Sequence, residues 1–169
     1  MTFAQYQATT FHPDQEWVEG ELKERNLGSF EHSFVQAWLA LWFGNHKREW
    51  NVTVVTEQRI EVGPGKVRIP DVMLARRGPH PPTIVAPPIL VVEILSPDDS
   101  YRDLEVRVND FLHMGASAVW LIDPDTRSGR LCLGNSWTLA DKLTVPGTPI
   151  FLLLSDLWSE LEAEIQSEP

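Results

Sequence analysis

The run Ile89-Leu90-Val91-Val92-Glu93-Ile94-Leu95 constrains this chain more than any other stretch. It is nearly continuous apolar sequence, which suits a strand covered on both faces; a half-exposed strand would alternate polar with apolar residues. A helical pattern follows. Leu104, Val108, Phe111 and Leu112 recur at helical spacing, Ser100 offers a cap with Asp103 three residues on, and Gly115 ends the segment. Ala118 to Asp123, AVWLID, then reads as a second apolar strand. Strand, helix and strand at this spacing form a crossover that sets the two strands parallel in one sheet. Glu93 is the exception inside the first strand. An unpaired buried carboxylate is costly or takes up a proton, so something must meet it.

The other segments fit around this unit. Ser29 can cap a helix in which Phe34, Val35, Trp38, Leu39, Leu41, Trp42 and Phe43 recur, with Gly44-Asn45 as its expected stop. Residues 51–57 are rich in β-branched side chains, and 59–62 and 67–69 alternate around the turn Gly63-Pro64-Gly65-Lys66, a hairpin that leads into 70–74. Residues 76–88 form a proline-rich loop. Short strands are expected at 131–133, 137–139 and 143–145, and an acidic terminal helix at 157–165 started by Ser155 or Asp156. Residues 1–16 read as a loop or short helix. Residues 17–25 read as either a small strand pair about Gly20 or a ragged helix. The whole predicts one α/β domain over 1–169, with its core at about 17–158.

Composition narrows the function classes. A net charge of −10, from 14 Lys plus Arg against 24 Asp plus Glu, opposes loose attraction to nucleic acid or anionic membranes unless a local basic patch or a bound cation overrides it. Cys132 is the single cysteine, so neither an intramolecular disulfide nor a cysteine metal cluster can form. No membrane-spanning apolar stretch and no secretory pattern at the start are evident, so a cytoplasmic protein without a membrane partner is the expectation.

Glu93 acquires a candidate partner in Asp71, which follows Pro70 at a strand end. Were the two strands neighbours, the carboxylates would converge, and two like charges need a proton or a cation between them. Magnesium is the simplest cation, since one or two carboxylates plus water and a phosphate form a usual shell for it; manganese is the alternative. The competing structural reading gives Glu93 a salt bridge to Arg107 or Arg68, and pairs Arg107 with Asp103 one helical turn earlier. Of the seven tryptophans, Trp38, Trp42 and Trp120 sit on apolar faces and suit a core better than base stacking. Lys47-Arg48 and Arg76-Arg77 suit solvated surface as well as phosphate contact.

An ordered set of motifs resembles the Uma-type family of restriction endonucleases. It comprises Glu19-Gly20-Glu21-Leu22, Arg68-Ile69-Pro70-Asp71-Val72, Leu90 to Pro97, Arg102-Asp103-Leu104 with Arg107 and Phe111, Gly115, Val119 to Pro124 and Val145-Pro146-Gly147, spanning about residues 17 to 158. The resemblance implies a PD-(D/E)XK, restriction-endonuclease-like fold, a central mixed sheet flanked by helices. It also implies a magnesium ion held by Asp71 and Glu93, with the backbone carbonyl of Ile94 as a further ligand. Glu21 and His32 match acidic and histidine-bearing positions and would orient water or a second metal. One departure stands out: the nuclease motif has a lysine two residues after its second acid, and here Leu95 stands there. The Uma-type pattern places its lysine instead on the following helix, at the position of Arg107. The expected activity is metal-dependent hydrolysis of DNA phosphodiesters by a homodimer. The alternative is a noncatalytic binding or assembly protein on the same fold, and a small-molecule phosphoesterase has no distinct motif in its favour.

Overall fold

The computed structural model describes residues 1–25 and 28–166. A short helix α1 (Phe3–Gln7) opens the chain. Strands β1 (Glu16–Val18) and β2 (Glu21–Lys23) then pair antiparallel. The two-residue loop between them, Glu19-Gly20, has φ of 54° and 86°. Both angles are positive, the geometry that matches strand twist in a tight hairpin, so of the two alternatives for 17–25 the strand pair is the one that forms.

Helix α2 (Phe30–His46) starts where Ser29 accepts the His32 amide, as expected, but it runs through Gly44-Asn45 and ends at His46, with Lys47 as its C-cap. Strands β3 (Val52–Thr56), β4 (Ile60–Gly63), β5 (Lys66–Arg68) and β6 (Val72–Arg76) follow. After the proline-rich loop come β7 (Leu90–Ile94), helix α3 (Tyr101–His113) and β8 (Ala118–Asp123). The chain ends with β9 (Ser128–Leu133), β10 (Ser136–Leu139), β11 (Lys142–Thr144), β12 (Phe151–Leu153) and α4 (Leu154–Gln166).

The expected crossover is at the centre. β7 and β8 pair in parallel, from Leu90 opposite Ala118 to Ile94 opposite Ile122. They sit inside a six-stranded mixed sheet of order β10-β9-β8-β7-β6-β3 whose other pairings are antiparallel. β4 and β5 do not join it. They form a second sheet with β1 and β2, because the chain breaks at Ile69-Pro70, where proline has no N–H to extend a ladder.

Alternation along the central strands splits the core between two faces. Leu90, Val92 and Ile94 pack with Val35, Leu39 and Phe43 of α2 and with Leu154, Leu157 and Leu161 of α4. Val91, Val119 and Leu121 face the other way, against Leu104, Val108 and Phe111 of α3. Trp120 lies fully buried in the first cluster, while Trp38 and Trp42 pack partly buried at its edge. Glu93 shares its face with Val91, so its carboxylate enters the α3 side. Among the described residues, no helix is long and apolar enough to cross a membrane.

Candidate active site

β6 and β7 run antiparallel with Val72 opposite Val92 and Met73 opposite Val91. Continuing that register by one step sets Asp71 opposite Glu93. Both are buried, at 3% and 1% exposure. Their partners differ. The Ile94 amide donates to Asp71 Oδ2 at 2.8 Å, Arg25 Nη2 donates to Oδ1 at 2.6 Å, and His32 Nε2 lies 3.4 Å from Oδ2. Gln36 on α2 donates to the Asp71 main-chain oxygen at 3.0 Å, fixing the strand end itself. Glu93 is met by Arg107, whose Nη2 donates to Oε2 at 2.5 Å. Among the described residues, Glu93 Oε1 and Arg107 Nε are buried without hydrogen-bond partners.

These surroundings push the two acids apart. Burial raises Glu93 to about 8, Arg107 opposing the rise while Asp71 and Glu16 add to it. Burial also favours a proton on Asp71, but the His32 hydrogen bond and charge, Arg25 and the Ile94 amide together outweigh it and hold Asp71 below the usual carboxylate range. Burial works against the charge on Arg107, yet the surrounding acids, Glu93 first, raise its pKa still further.

The cations are placed by the elements that carry them. Arg25 extends from the segment after β2, and His32 lies in the first turn of α2 with Gly28 packed on its ring; a Cβ at Gly28 would come within 2.8 Å of His32 Nδ1. Arg107 is on the buried side of α3, whose position is fixed by a second ion network. Arg68 Nη1 meets Glu16 Oε2 at 2.7 Å, Arg68 Nη2 meets Asp110 at 2.8 Å, and Lys66 meets Asp110 at 2.7 Å, tying β1 and β5 to α3. Asp71, His32, Arg25 and Arg107 line a recess of about 20 Å³, the size of a single water site. Beside it a charged cleft of about 370 Å³ includes Glu16, Arg25, Arg68, Asp99 and Arg107.

Of the residues expected from the sequence, Asp71, Glu93, Arg107 and His32 converge. The salt-bridge reading of Glu93 is realised with Arg107, whereas Arg68 is taken by Glu16 and Asp110. The expected Asp103–Arg107 pairing is replaced: the Asp103 carboxylate accepts from the Ser100 hydroxyl at 2.6 Å, and Arg107 turns inward. Glu21 requires a correction. The tight Glu19-Gly20 turn holds it opposite Val18 on the outer strand β2, exposed and outside the lining of the recess. Ile94 contributes its amide to Asp71, a role distinct from the expected carbonyl ligand. Arg25 and Glu16 were not foreseen. Nothing periodic flags Arg25, but recognising the Glu-Gly hairpin would have returned its segment to the sheet.

A family model described as "Putative restriction endonuclease", Uma2, matches residues 3–161. The chain belongs to the Uma2 family. Among solved structures, this Uma2 chain is similar to a protein described as a "putative nuclease belonging to DUF820" from Anabaena variabilis ATCC 29413. The TM-score is 0.84 at 22% identity, covering 95% of this chain and 99% of that one, and the likeness establishes the shared fold. A DrdV-DNA complex matches at TM-score 0.44 and 15% identity, over 82% of this chain and 12% of that one, too weak a likeness to carry an argument. No curated protein matches. For the Uma2 fold the restriction-endonuclease-like mixed sheet flanked by helices is therefore the observed architecture.

Among the described residues, no three His, Cys, Asp or Glu side chains form a metal cage. Asp71 lines the recess, and Glu93, opposite it in the strand register, keeps one buried carboxylate oxygen, Oε1, that has no hydrogen-bond partner among the described residues. That donor set suits a hard cation that keeps most of its own waters.

Proposed function

We propose that this chain is a magnesium-dependent endonuclease that hydrolyses DNA phosphodiester bonds, with manganese as a substitute ion and two copies acting together. The observation that carries this reading is the buried pair Asp71 and Glu93, held at opposite ends of the carboxylate range beside the guanidinium groups of Arg25 and Arg107. Asp71 and Glu93 would hold the ion, with the Ile94 carbonyl as a further oxygen. When bound, it supplies a water of lowered pKa and neutralises charge developing on the phosphate. The chain's own side chains do the remainder. Arg107 keeps its proton and cannot serve as a base; by moving from Glu93 to an incoming phosphate oxygen it binds the scissile group and frees Glu93 Oε2. Arg25 adds a second positive charge at the mouth of the recess, and His32 orients the attacking water against Asp71. With a net charge of −10, these local cations must supply the attraction for a polyanion.

A second reading is favoured by the same contacts. Arg25 with Asp71 and Arg107 with Glu93 already neutralise each acid, and Leu95 stands where the general nuclease motif has lysine. On that reading the chain is a noncatalytic binding or assembly protein. Plasmid DNA in magnesium separates the two. Wild type is expected to cut and Glu93→Gln to leave the plasmid intact, with Arg107→Lys retaining activity. Purified wild type that binds magnesium yet leaves DNA uncut supports the noncatalytic reading, and magnesium binding retained in both Asp71→Ala and Glu93→Gln rules out the site.

A further inference from the structure

Helix α2 is apolar on two opposite sides. Val35, Leu39 and Phe43 are fully buried against the sheet. On the side turned away from them lie Phe30, Ala37, Leu41 and Gly44, with Phe34 at the margin, partly buried against the edge of the same core; the five are spaced alternately four and three apart, the stripe of a helix-pairing seam. Phe30 is 61% exposed and Leu41 63%. A helix apolar all round is ordinarily covered all round. Gly44 adds an independent sign. It lies within the helix, where glycine is the worst residue after proline, and a Cβ there would meet nothing within 4 Å among the described residues. Among the described residues nothing requires a glycine at that position, so the open notch is available to an outside side chain.

We propose that this face pairs with the same face of a second copy, the two α2 helices lying antiparallel about a twofold axis near residue 39. In an antiparallel seam the layers bring together positions whose numbers share one sum. Phe34 then enters the notch at Gly44 of the other copy, Ala37 faces Leu41, and Phe30 faces Arg48, which follows the helix end. Large residues meet small ones at each apolar layer. A parallel pair would instead stack Phe34 on Phe34, leave Gly44 opposite Gly44, and set Arg48 against Arg48. The antiparallel order replaces that repulsion with attraction, since Arg48 lies over the Phe30 ring and beside Glu31 of the other copy. Among the described residues, neither Arg48 nor Glu31 has an ion pair within its own chain. The seven positions between His32 and the axis set the two His32 residues ~20 Å apart along the pair at 1.5 Å per residue, so the two recesses would open towards opposite ends of the seam. This deepens the two-copy reading above and rests on it, but needs neither the metal nor DNA.

Sedimentation and oxidative crosslinking test the seam. Wild type is expected to sediment as a dimer, and Leu41→Asp, at an exposed position, to weaken the dimer by at least 10-fold while keeping the wild-type circular dichroism spectrum. Ala40 flanks the seam and faces its own counterpart across the axis. Ala40→Cys is therefore expected to form a disulfide-linked dimer on mild oxidation, and Phe30→Cys, whose counterpart lies at the far end, is not; Cys132 is buried and stays silent. A wild type that remains monomeric at tens of micromolar overturns both this interface and the two-copy reading. A dimer that survives Leu41→Asp, or a Phe30→Cys variant that crosslinks as readily as Ala40→Cys, overturns this interface alone.

Discussion

Replacing Glu93 by glutamine removes the buried ionisable group while keeping its shape, and the pH dependence of stability is where the change is read. In the folded chain burial raises Glu93 from 4.5 to about 8; unfolded, it titrates near its ordinary value. The folded state therefore binds more protons between those two pH values, and stability falls as pH rises. The contribution is fully present below about pH 4.5 and is lost as pH passes through about 8. At about 1.4 kcal/mol for each pH unit, the interval from 4.5 to about 8 bounds the loss at ~5 kcal/mol. Glutamine cannot titrate, so its stability curve lacks this fall. The assay is urea unfolding of wild type and Glu93→Gln at half-unit steps from pH 5 to 9, with chelator present. The difference between the two is expected to shift by several kcal/mol across that range, wild type losing ground steadily. Parallel curves would refute the reasoning and mean that Arg107 keeps Glu93 ionised throughout.

Arg107→Ala strands Glu93 without its cation, costing ~3 kcal/mol or more at pH 9 but much less at pH 6, where a proton can replace the guanidinium; urea midpoints at the two pH values read the contrast. Gly20→Ala forces a Cβ onto a residue at φ 86° and is expected to cost ~1 kcal/mol, measured from thermal unfolding. Burial pushes the Cys132 thiol up to about 12, so a thiol reagent at pH 8 is expected to label it only as fast as the protein unfolds.

The crossover was legible because both of its strands are apolar runs and its helix has an unbroken seam, signals that local sequence carries directly. Asp71 and Glu93 were legible as a pair because each interrupts or abuts such a run. What the run could not disclose was how each charge is met. Arg107 could turn toward Asp103 or toward Glu93, and the choice depends on Ser100 taking Asp103 and on the Glu16–Arg68–Asp110 network fixing α3. That network joins residues more than forty positions apart in sequence, a distance no periodicity spans. The separation of β4 and β5 into their own sheet was similarly hidden, since alternation tells which side of a strand is buried but not which sheet it joins. Glu21 was misplaced for a different reason: a motif match gives a position along the chain, whereas a two-residue turn decides which way that position points.

The opposite displacement of Asp71 and Glu93 has a consequence for any ion that enters between them. Asp71 is the member of the pair that gives up its proton readily, and burial makes Glu93 the one that holds a proton up to higher pH, against the pull of Arg107. A dication would have to expel the Glu93 proton as it arrives, so uptake would be an exchange of one species for another. Occupancy at fixed magnesium would then rise with pH below about 8, steepest where Glu93 is still mostly protonated. A cell's acidity, and not only its magnesium, would decide how often the recess is loaded.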